Sequence, residues 1–245
     1  MPLIEYQNIR KSFGSKKVFE GLSLAIERGE TMTIIGGSGT GKTILLKMLL
    51  KLMLPNQGEI LFGGKNILKM DEEATRSLRR RMGMLFQGGA LFDSLTVAEN
   101  IAYPLNEHFD LSETEINKRV AEKLNLVGLP GVEEMTPADL SGGMKKRIAL
   151  ARAIATDPEV ILYDEPTTGL DPTNTHRINN LIRDLQKKLK VTSIVVTHDM
   201  GSAFAIADRL ALLDGGKIEF VGTPEQAKKS ENKTVRDFIE GHIGE

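Results

Sequence analysis

The sequence predicts an α/β fold, with a helical subdomain inserted into a sheet-based core. Three observations point there. Apolar runs at 31–35, 159–163 and 191–197 read as buried strands, and each delivers glycine or polar residues at its end. Helical stretches at 44–50, 145–156 and 173–190 alternate with them. Between residues 93 and 140 the character changes to helices, opened by two separate capping boxes.

A chain of 245 residues buries a sizeable core as one large domain or two subdomains. Its 32 Lys and Arg balance 33 Asp and Glu, so no strong field draws it to nucleic acid or anionic lipid. With no cysteine there is no disulfide and no thiolate metal site. Met1-Pro2-Leu3-Ile4-Glu5 runs into a strand pattern without a basic n-region and an apolar h-region. The most hydrophobic run, 44–54, is broken by Lys47 and Lys51 and is too short for a bilayer. The expectation is a soluble cytosolic chain unless a partner carries it elsewhere.

Segments 3–9 and 22–28 read as strands, with Lys11-Ser12-Phe13-Gly14 as a loop between them. The next run, Thr31-Met32-Thr33-Ile34-Ile35, leads into Gly36-Gly37-Ser38-Gly39-Thr40-Gly41-Lys42-Thr43 and then a helix. This matches G-x-x-x-x-G-K-[ST] in the strand–loop–helix setting that a phosphate-binding loop requires. The glycines let backbone N–H groups turn inward, and the helix N-terminus adds positive potential. Lys42 would reach the β/γ-phosphates and the Thr43 hydroxyl would ligate Mg²⁺, so the chain is expected to bind a nucleoside triphosphate.

A turn at 55–58 precedes a strand at 59–62, ended by Gly63 and Gly64. Residues 71–81 form a charged helix with acids in its first turn and Arg79, Arg80 and Arg81 in its last, where a helix C-terminus favours cations. The strand 82–87 ends on Gln87, before Gly88 and Gly89. That amide is either a simple strand-end residue or a side chain carried to a site by a mobile loop.

Thr96-Val97-Ala98-Glu99 and Ser112-Glu113-Thr114-Glu115 both fit the capping box. Ile116, Val120, Leu124 and Val127 then form an amphipathic stripe, ended at Gly128. Leu140-Ser141-Gly142-Gly143-Met144 opens another helix; Ser141 is a natural N-cap, and the glycines leave N–H groups approachable by an anion. Capping alone explains them equally well. The strand 159–165 ends in Asp164 and Glu165, at the edge where parallel sheets bind ligands. Strand alternation points the two acids in different directions. Asp164 suits the Mg²⁺ shell and Glu165 a general base for the attacking water. A third strand, 191–197, delivers His198 to the same edge beside Asp199. A hairpin around 214–216, a helix capped by Thr223 with Pro224 first, and an amphipathic segment 235–239 close the chain.

Together these motifs resemble the ATP-binding cassette (ABC) ATPases from end to end: the phosphate loop, Gln87, Leu140-Ser141-Gly142-Gly143, Asp164-Glu165, Leu170-Asp171 and His198 stand in the family order. The resemblance implies the α/β P-loop NTPase fold of the ABC ATPases, with a RecA-like mixed-sheet core, an N-terminal antiparallel β part and an inserted helical subdomain. It implies ATP and Mg²⁺ as ligands, with Thr43, Gln87 and Asp164 at the metal and Glu165, His198 and Gln87 as the catalytic set. It also implies a head-to-tail homodimer in which Ser141, Gly142, Gly143 and Asp171 act in trans. Phe13 occupies the position of the adenine-stacking aromatic; on composition alone it would be a core or surface anchor.

A finer likeness lies in the run from Met84 to Asp93, in Met144 where Gln is more usual, and in 235–241. These look like the ATPases of bacterial MCE-type (Mla-like) lipid transporters, although Thr167-Thr168-Gly169-Leu170 follows the general ABC pattern. The likeness implies membrane permease subunits, an MCE-domain lipid-binding protein and a small STAS-domain protein, and no nucleic acid. It places the chain at the cytoplasmic face of the inner (plasma) membrane. The expected division is a core of 1–92 and 155–222, a helical subdomain 93–154 with the signature, and a helical tail 223–245. The competing reading is a soluble ABC ATPase such as an iron–sulfur cluster assembly ATPase. DNA-repair and translation-factor cassettes lack support in a chain with no heptad-rich insertion and no basic excess. A non-hydrolysing module conflicts with Asp164, Glu165 and His198.

Overall fold

Hydrophobic alternation pairs β1 (Ile4–Phe13) with β2 (Lys16–Ile26) as an antiparallel hairpin in the computed structural model, which describes residues 1–241. The chain continues through β3 (Thr31–Ile35), α1 (Lys42–Leu49), β4 (Gln57–Phe62), β5 (Lys65–Asn66) and α2 (Glu72–Arg80). Next come β6 (Met82–Leu85), α3 (Val97–His108), α4 (Glu113–Leu126), α5 (Gly142–Ala153), β7 (Val160–Asp164) and α6 (Pro172–Leu189). It ends with β8 (Thr192–Thr197), α7 (Met200–Ile206), β9 (Arg209–Asp214), β10 (Lys217–Gly222), α8 (Pro224–Lys228) and α9 (Lys233–Ile239). Two compact units result: Met1–Leu78 with the chain from Thr192 onward, and Arg79–Val191. Residues 242–245 of the expected tail lie outside the described residues.

In the first unit β1 is flanked by β2 and β4, both antiparallel, with β5 beyond β4. A second layer has the order β10-β9-β3-β8, in which β3 runs parallel to both β8 and β9. Every residue of β3 and of β8 is buried, which explains their unbroken apolar character. The hairpin extends further than the expected strands 3–9 and 22–28, and the expected Lys11–Gly14 loop is mostly strand. Its ladder continues to the pair Phe13↔Lys16, since hydrogen bonding along an exposed hairpin does not need apolar side chains. Tyr6, buried in β1, donates its hydroxyl to Leu45 O at 3.0 Å and ties α1 to the hairpin.

One helix escaped the sequence reading. α7 forms because Asp199 caps it, accepting from Gly201 N at 3.0 Å and Ser202 Oγ at 2.6 Å. It helps close a core around Ile35, Ala203, Leu210, Leu212 and Val235.

In the second unit β6 and β7 pair in parallel, Leu85 opposite Tyr163. Both capping boxes are present, at Thr96 with Glu99 and at Ser112 with Glu115. α5 packs against α3, α4, α6 and β6, and Arg147 donates to Gly128 O at 3.1 Å at the end of the α4 turn. Among the described residues no helix is long and apolar enough to cross a membrane.

Candidate functional site

The first unit carries the phosphate loop. β3 ends at Ile35, which faces Thr197 of β8 and Leu212 of β9, so the loop leaves from the carboxyl edge of parallel strands. A Cβ on Gly36 would stand 2.4 Å from the backbone oxygen of Leu213, so no side chain fits there. Lys42, only 6 % exposed, donates to Gly36 O at 2.7 Å and Gly37 O at 2.9 Å. Thr40 Oγ1 donates to Gly37 O at 2.9 Å. The loop is thus laced to itself around one ammonium. Phosphate oxygens would win that ammonium from neutral carbonyls, because charge-assisted hydrogen bonds are the stronger kind. Ser38 and Gly39 are exposed at the tip, Gly41 caps α1, and Thr43 is half-buried in its first turn.

His198 follows β8 and is exposed. It lines a groove of about 380 Å³ with Gly36, Gly37 and Met200, and residues Phe238 to Gly241 line it too. Phe13 is the last residue of β1 rather than a loop residue, with 46 % of its surface exposed. The Lys11 ammonium stands 4.9 Å from its ring centroid, a cation–π contact on one face.

The second unit carries the acid edge and the signature. Asp164, 5 % exposed, ends β7. Glu165, expected as the last strand residue, instead turns into the left-handed region at φ 48°. What separates the two carboxylates is this turn, not strand alternation. Thr168 holds the turn, its N–H donating to Glu165 O at 3.3 Å and its hydroxyl to Glu165 Oε2 at 3.2 Å. A left-handed non-glycine residue is strained, and such strain persists where the surroundings over-determine it.

β6 likewise stops at Leu85, and exposed Gln87 lies in a turn closed by Gly89 N to Phe86 O at 2.8 Å. The glycines draw the chain out of the strand two residues early. Lys146 donates to Gln87 O, and at 3.5 Å to Glu165 O. Burial pushes its pKa down, against the pull of Asp164 and Glu165. Arg152 donates to Gly89 O at 3.0 Å and Ala90 O at 2.8 Å.

Ser141 caps α5, accepting from Met144 N at 3.3 Å. Ser141 and Gly142 are exposed and Gly143 is buried. A Cβ on Gly143 would meet Asn174 Oδ1 at 2.7 Å, and Asn174 in turn donates its backbone N–H to Asp171 at 2.9 Å and its side-chain amide to the same carboxylate. These bonds hold the exposed Asp171 carboxyl below its usual pKa. The signature and Asp171 therefore stand together, joined through Asn174.

The structure brings Gly36, Gly37 and His198 together in one unit. In the other it joins Gln87 to Glu165 through Lys146, and Gly143 to Asp171. Sequence reasoning missed Lys146, Arg152 and Asn174. The i, i+3, i+6 spacing of Lys146, Ala149 and Arg152 along one side of a helix, and Asn174 three residues after a capping Asp171, were the available signals.

A cavity of about 460 Å³ in the second unit is lined by Met84, Phe86, Phe92 and Tyr103, with Arg79, Arg80 and Arg152 among its cations. Phe92 and Tyr103 rings lie 4.7 Å apart. Arg79 and Arg80 do end α2 as expected, but they also line this cavity. Arg81 pairs with Glu159 instead.

Among the described residues no group of three His, Cys, Asp or Glu forms a metal cage. Thr43, Asp164 and Gln87 offer a hydroxyl, one carboxylate and an amide oxygen. Thr43 belongs to the first unit and Asp164 and Gln87 to the second; each by itself is a hard oxygen donor of the kind that Mg²⁺ takes alongside waters and substrate phosphates.

Comparisons with known proteins converge. A family profile described as ABC transporter matches residues 19–168. The Haemophilus influenzae intermembrane phospholipid transport system ATP-binding protein MlaF is 43% identical over 239 residues, covering 98% of this chain and 90% of that protein. The probable ribonucleotide transport ATP-binding protein mkl of Mycobacterium leprae is 41% identical over 97% of this chain and 69% of its own length. Among solved structures, a dimeric post-hydrolysis state of the ATP-binding cassette MJ0796 bound to ADP and Pi is similar with a TM-score of 0.82 and 31% identity, covering 90% of this chain and 98% of that one.

Proposed function

The chain belongs to the ABC transporter family and is an ATPase; from that premise we propose that it is the energy-supplying subunit of a phospholipid transporter, working as a head-to-tail pair. Lys42 and the loop N–H groups of one copy hold the triphosphate. Ser141, Gly142, Gly143 and Asp171 of the other copy close over it. Glu165 takes the proton of the attacking water, and His198 and the N–H groups of the loop stabilise charge on the γ-phosphate. Thr43, Asp164 and Gln87 are the residues for Mg²⁺, which when bound neutralises phosphate charge. Phe13 stacks on the adenine through the face that Lys11 leaves open.

The helical segment 93–154 and the Gln87 turn pass the closure to a membrane permease, which docks on the aromatic cavity beside Arg152. An MCE-domain lipid-binding protein and a small STAS-domain protein complete the assembly at the cytoplasmic face of the inner membrane. The observation that carries the lipid assignment is the 43% identity to MlaF over 98% of this chain.

Two variants and one extraction test the reading. Glu165→Gln keeps ATP affinity and loses about 10³-fold in turnover; full hydrolysis by that variant removes Glu165 from its role. Lys42→Ala loses affinity for a fluorescent ATP analogue. Mild detergent extraction brings down a polytopic membrane protein with bound phospholipid; extraction of the chain alone returns it to the soluble cassettes, and a bound ribonucleotide cargo replaces the lipid.

A further inference from the structure

Lys146, Ala149 and Arg152 are spaced three apart on α5 and share one face. The turn that carries Gln87 lies on that face. Lys146 donates to Gln87 O, Ala149 supports Gly89, whose added Cβ would stand 3.6 Å from the alanine methyl, and Arg152 takes Gly89 O and Ala90 O. The same Lys146 ammonium reaches Glu165 O at 3.5 Å. It is 7 % exposed. Packing alone would be met more cheaply by a methionine or leucine, since burying an ammonium carries a large desolvation cost. What an apolar residue could not supply is a donor common to two separate turns.

We propose that Lys146 is a positioning residue for hydrolysis, its buried ammonium tying the Gln87 turn to the Glu165 turn so that both present one fixed edge to the nucleotide. The inference rests on the role given to Glu165 above. The ammonium touches backbone oxygens, so it acts by fixing where the Glu165 carboxylate can point. Because α5 begins at the signature, the tie also links Ser141–Gly143 to the Gln87 turn through one rigid helix. An error of about 1 Å in a positioned group costs on the order of 10²-fold in rate.

The test uses the detergent-extracted complex and the purified full chain. In Lys146→Met, kcat falls at least about tenfold while KM for ATP stays within about twofold, the pattern of an interaction made only in the transition state. Affinity for a fluorescent ATP analogue and the thermal unfolding midpoint stay near those of the parent. Lys146→Gln, shorter and polar, shows the same split and serves if the Met variant does not fold. The decisive arm is the double variant Lys146→Met with Glu165→Gln. Loss no greater than that of Glu165→Gln alone supports action through Glu165, whereas multiplied losses overturn it. An unchanged kcat in either Lys146 variant, or a loss that follows the fraction unfolded, also overturns it. If Glu165→Gln alone hydrolyses ATP normally, the general-base reading fails, and the kcat split of the single Lys146 variants still judges the tie.

Discussion

The phosphate loop and the acid edge reach a fixed shape by opposite routes. The loop is laced by its own residues: Lys42 and Thr40 bond carbonyls three to six positions back along the chain. The acid edge borrows its tether, for Gln87 and Glu165 are joined by Lys146 from a helix 59 residues beyond the one and 19 before the other. A self-contained motif survives transfer between contexts and is readable as a string. An edge assembled from separate turns depends on packing, and its control residues need not belong to any motif.

Breaking that comparison at its strongest point means Gly36→Ala. The added Cβ faces the Leu213 backbone oxygen at 2.4 Å, which cannot step aside. Overpacking of this kind costs about 3 kcal/mol. The urea midpoint should drop sharply and ATP-analogue binding should go with it; a variant as stable as the parent would show that the loop can slide. Gly143→Ala offers the contrast. There the obstacle is the Asn174 side chain, which can rotate, so the urea midpoint should move little and single-chain nucleotide binding should remain. Rotation of Asn174 releases Asp171, however, and ATP hydrolysis at saturating protein should fall by about 10²-fold. Equal stability losses in the two glycine variants would erase the distinction between backbone and side-chain obstruction.

A smaller effect sharpens the first half of the comparison by testing what little the loop's helix borrows from outside. Tyr6→Phe removes the hydroxyl bonded to Leu45 O, worth about 1 kcal/mol. Burial raises the phenol's pKa above its ordinary 10.0. The folded state therefore retains a proton that the unfolded chain releases, so stability is complete below about pH 10 and declines as pH rises beyond it. Urea midpoints at pH 8 and pH 11 should diverge in the parent and diverge less in Tyr6→Phe; identical pH slopes would deny the buried phenol its part.

Much of the site was legible because its residues are neighbours in the chain. The phosphate loop, the capping boxes at Thr96 and Ser112, and the N-caps at Ser141 and Asp171 all rest on bonds spanning three to six residues. The errors fell where longer contacts intervened. Phe13 reads as a loop residue in the string because the strand ladder that holds it depends on Lys16 across a turn. Gln87 and Glu165 read as the last residues of strands that the structure ends early, one closed by a glycine turn and the other by Thr168. α7 escapes the sequence reading because its seven residues include a glycine and are too few for the stripe of Met200, Ala203 and Phe204 to stand out as a period, and its stability comes from the Asp199 cap and the core around Ile35 and Leu212.

The amino-acid string by itself determined the strand–loop–helix that receives a triphosphate, the order of the motifs and hence the family, since each is encoded in a few adjacent residues whose backbone preferences and hydrogen bonds are local. Tertiary structure alone decided that Lys146 would serve two turns at once, that Asn174 would join Gly143 to Asp171, and that Arg79 and Arg152 would share an aromatic cavity. The physical reason is reach: a buried ammonium or amide finds its partners among whatever carbonyls packing brings within about 3 Å, and that proximity is a property of the folded chain.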